Sequence, residues 1–149
     1  MSGDRTYVDE AVIAASPDKV FNAVLDECAG LTHWWMPLYE IKPRAGTPLR
    51  KPGMVSDVIL HGASTLRFSW TVTKISDGKS IEVKYNGDFD ATGEWAFESV
   101  GGKTKVKYTW TGRPTKLLLS LVFYVMDMKK LHSEAIHSGF KGLNDNIQK

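Results

Sequence analysis

The sequence predicts an α+β domain in which a curved antiparallel sheet of about six or seven strands wraps around a long C-terminal helix. Three observations lead to this prediction. A helix start follows the first strand, a long middle region alternates apolar and polar residues between turn signals, and the last part of the chain has helical periodicity. Because strongly twisted sheets curve, we expect space between the sheet and the helix.

The first elements predicted are a strand and two short helices. Residues Arg5–Ala14 form the strand, and its apolar phase contains Tyr7, Ala11 and Ile13. The run Ser16–Asp18 then starts a helix, because serine caps, proline suits the first helical position and aspartate favours the positive end of the helix dipole. A second short helix is predicted over Ala29–Trp35, with Pro37 ending it.

The middle of the chain has the period of two that is typical of strands with one solvated face. Strands are predicted at Tyr39–Pro43 and Met54–His61, and further runs alternate around Phe68, Tyr85, Trp95 and Tyr108. The turn signals between these runs are Asp77–Gly78, Asn86–Gly87 and Gly101–Gly102. The outward phase carries Arg67, Lys84, Asp88, Asp90, Glu94 and Glu98, which we expect to be solvated.

The inward phase of these strands is unusually aromatic. Tyrosine and tryptophan carry polar tips that need partners when they are buried, so they suit the wall of a pocket better than a dry core. The predicted wall consists of Phe68, Trp70, Tyr85, Trp95, Tyr108 and Trp110.

After Pro114 the remaining residues are predicted as one long helix, with Thr115 as its cap. The apolar stripe expected at spacings of three and four consists of His132, Ile136, Phe140, Leu143 and Ile147. Gly139 and Gly142 interrupt this helix, and each costs on the order of 1 kcal/mol relative to alanine. Their presence indicates a close-packing or hinge role.

The size and composition are those of a single globular domain, expected to cover residues 1–149, with 42% hydrophobic and 24% charged residues. The net charge of +2 is spread along the chain, which argues against a nucleic-acid partner. One cysteine, Cys28, excludes an internal disulfide, and no apolar signal segment follows Met1, so we expect a cytoplasmic protein. Oligomeric state is left open.

The apolar stretch Leu117–Met126 is too short to span a bilayer, so no integral membrane segment is predicted. Three roles stay open for it: buried core, entrance for a ligand, or membrane contact. The four histidines have no metal-ligand spacing, and no dinucleotide or phosphate-binding loop is present. We therefore expect neither a metal nor a cofactor.

Three stretches of this chain resemble the START/polyketide-cyclase superfamily (SRPBCC), whose fold is called helix-grip. They are the strand-to-helix opening Ile13–Phe21 followed by Trp34–Trp35, the strands Gly87–Trp95 and Thr104–Trp110, and the final helix with His132, Gly139 and Gly142–Leu143. The second stretch is similar to the glycine-rich strand motif of the bacterial polyketide cyclase/dehydrase-like branch. The chain departs from that branch at Leu131, where asparagine is expected, and at Ala91, where glycine is expected.

The resemblance and the aromatic wall together imply binding of a small hydrophobic ligand (a lipid, a polyketide-like or an aromatic molecule) between the sheet and the C-terminal helix. The residues predicted to line the ligand are Trp34, Trp35, Phe68, Trp70, Tyr85, Trp95, Tyr108, Trp110, Met128, His132 and Ile136. His132, with a tyrosine such as Tyr85 or Tyr108, is expected to orient the ligand.

Other functions stay open at this point. In a cyclase or dehydratase, His132 is the candidate catalytic acid or base, although the sequence offers it no evident partner. A protein-interaction module resembling the chaperone-activator domains of the same superfamily is a further alternative. Trp34 and Trp35, with Met36, form an apolar lid over the cavity in one interpretation and plain packing in the other. His132 is likewise either a ligand contact or a core histidine.

Overall fold

The fold is described from a computed structural model, which covers residues 4–62, 65–116, 120–121 and 127–148. The strands are β1 (Arg5–Ile13), β2 (Tyr39–Pro43), β3 (Val55–His61), β4 (Thr65–Ser76), β5 (Ser80–Gly87), β6 (Phe89–Val100) and β7 (Lys103–Pro114). The helices whose bounds lie within the described residues are α1 (Pro17–Cys28) and α2 (Met128–Ile147), and Ser120 and Leu121 are also helical.

Within the described residues the strands form one seven-stranded sheet of order β1-β7-β6-β5-β4-β3-β2. All neighbouring strands are antiparallel, so the predicted sheet and the C-terminal helix are confirmed as a helix-grip fold. The order follows from hairpins that join β2 to β7 in sequence, while β1 returns to pair with β7. α2 packs against β1 and α1. The apolar phases of the strands and helices meet in one buried core.

The second short helix predicted over Ala29–Trp35 is wrong, because α1 is followed by turns and an irregular segment in this fully described part of the chain. Gly30 has φ +73, a left-handed conformation that ends a helix. The buried Glu27 carboxylate then accepts the backbone N–H groups of Trp34 and Trp35, at 3.2 and 2.9 Å. These bonds satisfy donors that a helix would otherwise have to pair.

The start of the C-terminal helix is also corrected, because α2 begins at Met128 and not after Pro114. Its N-cap is Asp127, whose side chain accepts the backbone N–H of Lys130. Thr115 is therefore not the cap of α2, and its hydroxyl donates to the Gly87 carbonyl at 2.6 Å. The stretch Leu117–Met126 lies outside the described residues, except for Ser120 and Leu121.

The turn predicted at Asn86–Gly87 lies instead at the next residue, Asp88. Both residues belong to β5 and pair with Ser69 and Phe68 of β4, and the chain reverses at Asp88. Gly87 has φ +109, and a side chain there would lie 2.9 Å from the Phe68 Cα atom. Glycine is therefore required by the strand's close approach to β4 and not by a two-residue hairpin turn.

Both glycines of α2 lie where the helix contacts the segment after α1. A Cβ atom on Gly139 would be 2.5 Å from Cε2 of the Trp35 indole, and one on Gly142 would overlap the Trp34 backbone oxygen. Their role is therefore close packing of α2 against this tryptophan pair. Among the described residues, no helix has the length and apolar character needed to cross a bilayer.

Candidate functional site

The inner face of the sheet carries the predicted aromatic side chains. All six are buried, with exposed fractions of 6% or less: Phe68, Trp70, Tyr85, Trp95, Tyr108 and Trp110. They contact one another in tilted and edge-on geometries that aromatic rings prefer. The alternation in the sequence therefore identified the inward phase of β4 to β7.

His132 enters this aromatic layer from α2. Its imidazole lies over β1 and β7, with ring centroids 5.0 Å from Tyr7, 5.5 Å from Trp110 and 6.2 Å from Tyr108. The side chain is 16% exposed. Of the other lining residues predicted on α2, Ile136 is buried and Met128 is half-buried against the core.

A buried carboxylate on β1 faces this histidine. Asp9, 6% exposed, has its Oδ2 atom 3.3 Å from Nδ1 of His132, although the two atoms are not aligned for a hydrogen bond. Ser133 donates its hydroxyl to Asp9 Oδ1 at 2.6 Å, and Nε2 of the half-exposed His137 lies 3.6 Å from the same oxygen. The Asp9 carboxylate thus lies between two imidazoles, that of the mostly buried His132 and that of the half-exposed His137.

The electrostatics of His132 combine two opposed effects. Burial lowers the pKa of the imidazole below its ordinary 6.5, and the neighbouring Asp9 only partly opposes this. His132 is therefore neutral at pH 7.

Tyr7 adds an unpartnered hydroxyl to the same place. Its ring stacks on Trp110 at 5.5 Å, and its buried oxygen has no hydrogen-bond partner among the described residues. Buried polar groups nearly always have a hydrogen-bond partner, so a buried hydroxyl without one is unusual. The hydroxyls of Tyr85 and Tyr108, which the sequence favoured as orienting groups, bond to each other instead. Burial raises the pKa of each well above its ordinary value.

Asp9, Tyr7, Ser133 and His137 also belong to this site, although the sequence patterns did not identify them. Asp9 shares the inward phase of β1 with Tyr7 and Ala11, so its alternation was the signal that a carboxylate points inward. Ser133 and His137 flank the predicted His132 stripe, and only the packing of α2 on β1 brings them to Asp9.

The tryptophan pair after α1 packs against α2. Trp35 is buried, stacks on Tyr39 at 4.1 Å, and donates its indole N–H to the Ala135 carbonyl at 3.2 Å. Trp34 is half-buried and donates its indole N–H to Ala23, whereas Met36 is exposed. Of the two interpretations of this segment, the contacts favour packing for the tryptophans.

The expectation that Asp88 is solvated is wrong. It is buried at the reversal between β5 and β6, where it accepts the Arg67 backbone N–H at 2.9 Å and pairs with Lys116 at 2.8 Å. Burial alone would raise the pKa of this carboxyl, but these two partners outweigh it and the pKa is lowered. The other outward carboxylates, Asp90, Glu94 and Glu98, are exposed as predicted, and so are Arg67 and Lys84.

Two further features offer no comparable chemistry. Burial raises the pKa of the Cys28 thiol to about 12, so it is protonated and unreactive. A shallow depression of about 430 Å³ lies on the outer face of the sheet, lined mostly by charged and polar residues such as Lys42, Arg44, Asp57 and Arg67. No three side chains of the described residues converge as metal ligands.

Solved structures similar to this chain share its fold. TTHA0849 from Thermus thermophilus superposes with a TM-score of 0.77 at 20% identity, covering 97% of each chain. Ara h 8.0201 gives a TM-score of 0.72 at 17% identity, covering 98% of this chain and 99% of that one. The Aha1 dimer structure from Colwellia psychrerythraea gives 0.64 at 19% identity, covering 96% of each chain.

The search of curated protein sequences finds no match to this chain. The family model described as polyketide cyclase/dehydrase and lipid transport matches residues 5–148, which is nearly the whole sequence. The chain therefore belongs to the polyketide cyclase/dehydrase and lipid transport family.

Proposed function

We propose that this protein binds a small, mostly apolar ligand on the inner face of the sheet, with the ligand's polar group directed at Tyr7 and His132. The observation that supports this most is the unpartnered Tyr7 hydroxyl, buried among aromatic rings beside the His132 imidazole. Ligand sites of this kind combine an apolar wall with a few convergent polar groups.

The arrangement of the polar atoms supports a ligand with one hydrogen-bonding group and an aromatic or aliphatic body. The rings of Tyr7, Trp110 and Tyr108 surround the imidazole, so apolar burial supplies most of the affinity. The hydroxyl and the imidazole fix the orientation of the ligand. Any other orientation would leave these buried polar groups without hydrogen-bond partners, which costs free energy. Met128, at the start of α2, is partly buried against the same core.

The experiment compares 2-naphthol with 2-methylnaphthalene, which has the same shape without the hydroxyl, by isothermal titration calorimetry. We expect both to bind and 2-naphthol to bind more tightly. Tyr7→Phe should weaken the binding of 2-naphthol by about fivefold, since one hydrogen bond contributes about 1 kcal/mol. The affinity for 2-methylnaphthalene should not change. Tyr39→Phe, in the same core but outside the His132 group, is the control and should change neither affinity. Absence of binding by both probes to the wild-type protein would refute the proposal.

A cyclase or dehydratase is the second candidate, and the Asp9 carboxylate beside His132 is the observation that favours it. A carboxylate that orients an imidazole is a common way to build a general base. Native mass spectrometry of protein purified from its own host separates the two functions. A retained, chemically unchanged small molecule favours binding, whereas conversion of that molecule on incubation, lost in Asp9→Asn, favours catalysis.

A further inference from the structure

Three buried polar atoms without hydrogen-bond partners lie together where α2 packs on β1. They are the Tyr7 hydroxyl oxygen, Oδ2 of Asp9 and Nδ1 of His132, and in the described part of the chain no other buried side-chain polar atom lacks a partner. Tyr7 and Asp9 are two residues apart on β1, so they point to the same face of the sheet. The His132 ring lies 5.0 Å from the Tyr7 ring, and its Nδ1 atom is 3.3 Å from Asp9 Oδ2. One polar group of a ligand could therefore serve all three atoms.

Asp9 is a buried carboxylate without a lysine or arginine partner among the described residues. The basic side chains within 4 Å of it are His132, which faces Oδ2, and the half-exposed His137, which faces Oδ1. Ser133 also donates its hydroxyl to Oδ1, at 2.6 Å. Burial lowers the pKa of His132, so this imidazole is neutral at pH 7 and does not balance the charge. Because a buried charge is costly unless it is paired and hydrogen-bonded, the Oδ2 side of Asp9 is suited to a cation that the chain itself does not supply.

The three atoms match the hydrogen-bonding capacity of a primary ammonium group. A carboxylate oxygen and a hydroxyl oxygen both accept hydrogen bonds, and a neutral imidazole nitrogen accepts one when the ring proton is on the other nitrogen. A primary ammonium has three N–H donors, no acceptor and one positive charge. It therefore matches the atoms of Tyr7, Asp9 and His132 in number and the carboxylate in charge. A ligand carboxylate or phosphate would be repelled by Asp9.

The rings around these atoms also favour a cation over an anion. Trp110 stacks on Tyr7 at 5.5 Å and lies 5.5 Å from the His132 ring, and Tyr108 lies 6.2 Å from that ring. The face of an aromatic ring carries partial negative charge and attracts cations. Since the carboxylate of Asp9 is already buried in the folded protein, a cation that binds beside it loses only its own hydration.

Resting on the proposed function, we propose that the ligand carries a protonated primary amine, which donates hydrogen bonds to Asp9 Oδ2, the Tyr7 hydroxyl and His132 Nδ1. No covalent bond forms or breaks, and no proton moves, because such an amine is already an ammonium ion in neutral water. The ion pair with Asp9 selects the charge of the ligand. Tyr7 and His132 set the direction of the other N–H groups.

The test compares three naphthalene probes that differ in the charge of one substituent. They are 2-naphthylmethylamine, which is a cation, 2-naphthylmethanol, which is neutral, and 2-naphthoic acid, which is an anion. Isothermal titration calorimetry is run at about pH 8, where the amine is still protonated and an ordinary histidine is neutral. We expect the amine to bind the wild-type protein about tenfold more tightly than the alcohol, because hydrogen bonds to charged groups are the stronger ones. The carboxylate should bind most weakly of the three.

Three variants assign the preference to named residues. Asp9→Asn removes the charge and keeps the shape, so it should bring the affinities for the amine and the alcohol to within about twofold of each other. Binding of the alcohol shows that this variant is folded. Tyr7→Phe keeps the carboxylate and removes one acceptor, so it should weaken the amine by about fivefold and leave it tighter than the alcohol. Glu94→Gln, at an exposed carboxylate on the outer face of β6, is the control and should change none of the three affinities.

The outcomes separate the two proposals. If none of the three probes binds to the wild-type protein, the proposed function fails and this inference fails with it. If the alcohol binds and the amine binds no more tightly, the amine inference is overturned while ligand binding stands. A preference for the amine that persists unchanged in Asp9→Asn also overturns the inference, because another carboxylate then holds the cation.

Discussion

Gly139 tests how closely α2 is packed against the segment after α1. In Gly139→Ala, the new Cβ atom would lie 2.5 Å from Cε2, 2.6 Å from Nε1 and 2.8 Å from Cζ2 of the Trp35 indole. Carbon atoms pack at about 3.5–4.0 Å, so the ring and the helix must separate by about 1 Å.

The indole of Trp35 cannot move freely to make that space. It stacks on Tyr39, meets Trp95 edge-on and donates to the Ala135 carbonyl, while Glu27 holds its backbone N–H. Overpacking costs about 1–3 kcal/mol, and three contacts below 3.0 Å to a ring that is held in place put the cost in the upper part of that range, about 2–3 kcal/mol. Replacing glycine with alanine in a helix returns about 1 kcal/mol. We expect a net destabilisation of about 1–2 kcal/mol, or a Tm lower by about 2–8 °C.

Urea and thermal unfolding followed by circular dichroism measure this effect. The matched control is Ser138→Ala, one residue earlier on the exposed side of α2, which should leave the protein as stable as wild type or slightly more stable. Should Gly139→Ala also be as stable as wild type, the close contact between α2 and Trp35 would be refuted.

Three further predictions concern buried charged or titratable groups. Glu27→Gln should lower the free energy of unfolding by about 1–3 kcal/mol in urea titrations, because the carboxylate accepts three hydrogen bonds including the Trp35 N–H; stability equal to wild type would contradict this. Asp88→Asn should be less stable than wild type by about 1–2 kcal/mol at pH 7. The pKa of Asp88 is lowered in the folded protein, so the difference in stability between the variant and wild type should shrink as the pH falls below the carboxyl's ordinary 3.8. A stability difference that does not depend on pH would contradict this prediction. Since burial lowers the pKa of His132, the unfolded chain takes up a proton first, so stability should fall as the pH drops below about 6.5. His132→Leu should flatten that slope in urea unfolding measured between about pH 7 and 5, and an unchanged slope would contradict the reasoning.

Most of the fold could be predicted from the sequence. Apolar and polar residues alternate along each strand because one face of the sheet is buried, and this alternation is visible in the sequence. The inward phase of β4 to β7 was assigned correctly through Phe68, Tyr85, Trp95 and Tyr108. The errors arose where side chains satisfy the backbone in place of regular structure. Glu27 does this for the segment predicted as a second helix.

The site was predicted only in part, since its polar members come from elements distant in sequence. His132 was identified from its place on the α2 stripe, but the register that pairs Asp9 with Tyr108 depends on how β1 returns to the sheet. The same packing brings Ser133 to Asp9. Asp88 was misjudged because alternation ignores the chain reversal that buries it beside Arg67.

The binding of an apolar ligand on the inner face is the central claim, and nuclear magnetic resonance tests it most directly. With 2-naphthol added to isotopically labelled protein, we predict intermolecular NOEs from the probe to the ring protons of Tyr7, Trp110 and His132. Contacts confined to the outer-face depression near Arg67 and Asn86, or the absence of any contact with the three inner rings at saturation, would contradict the account.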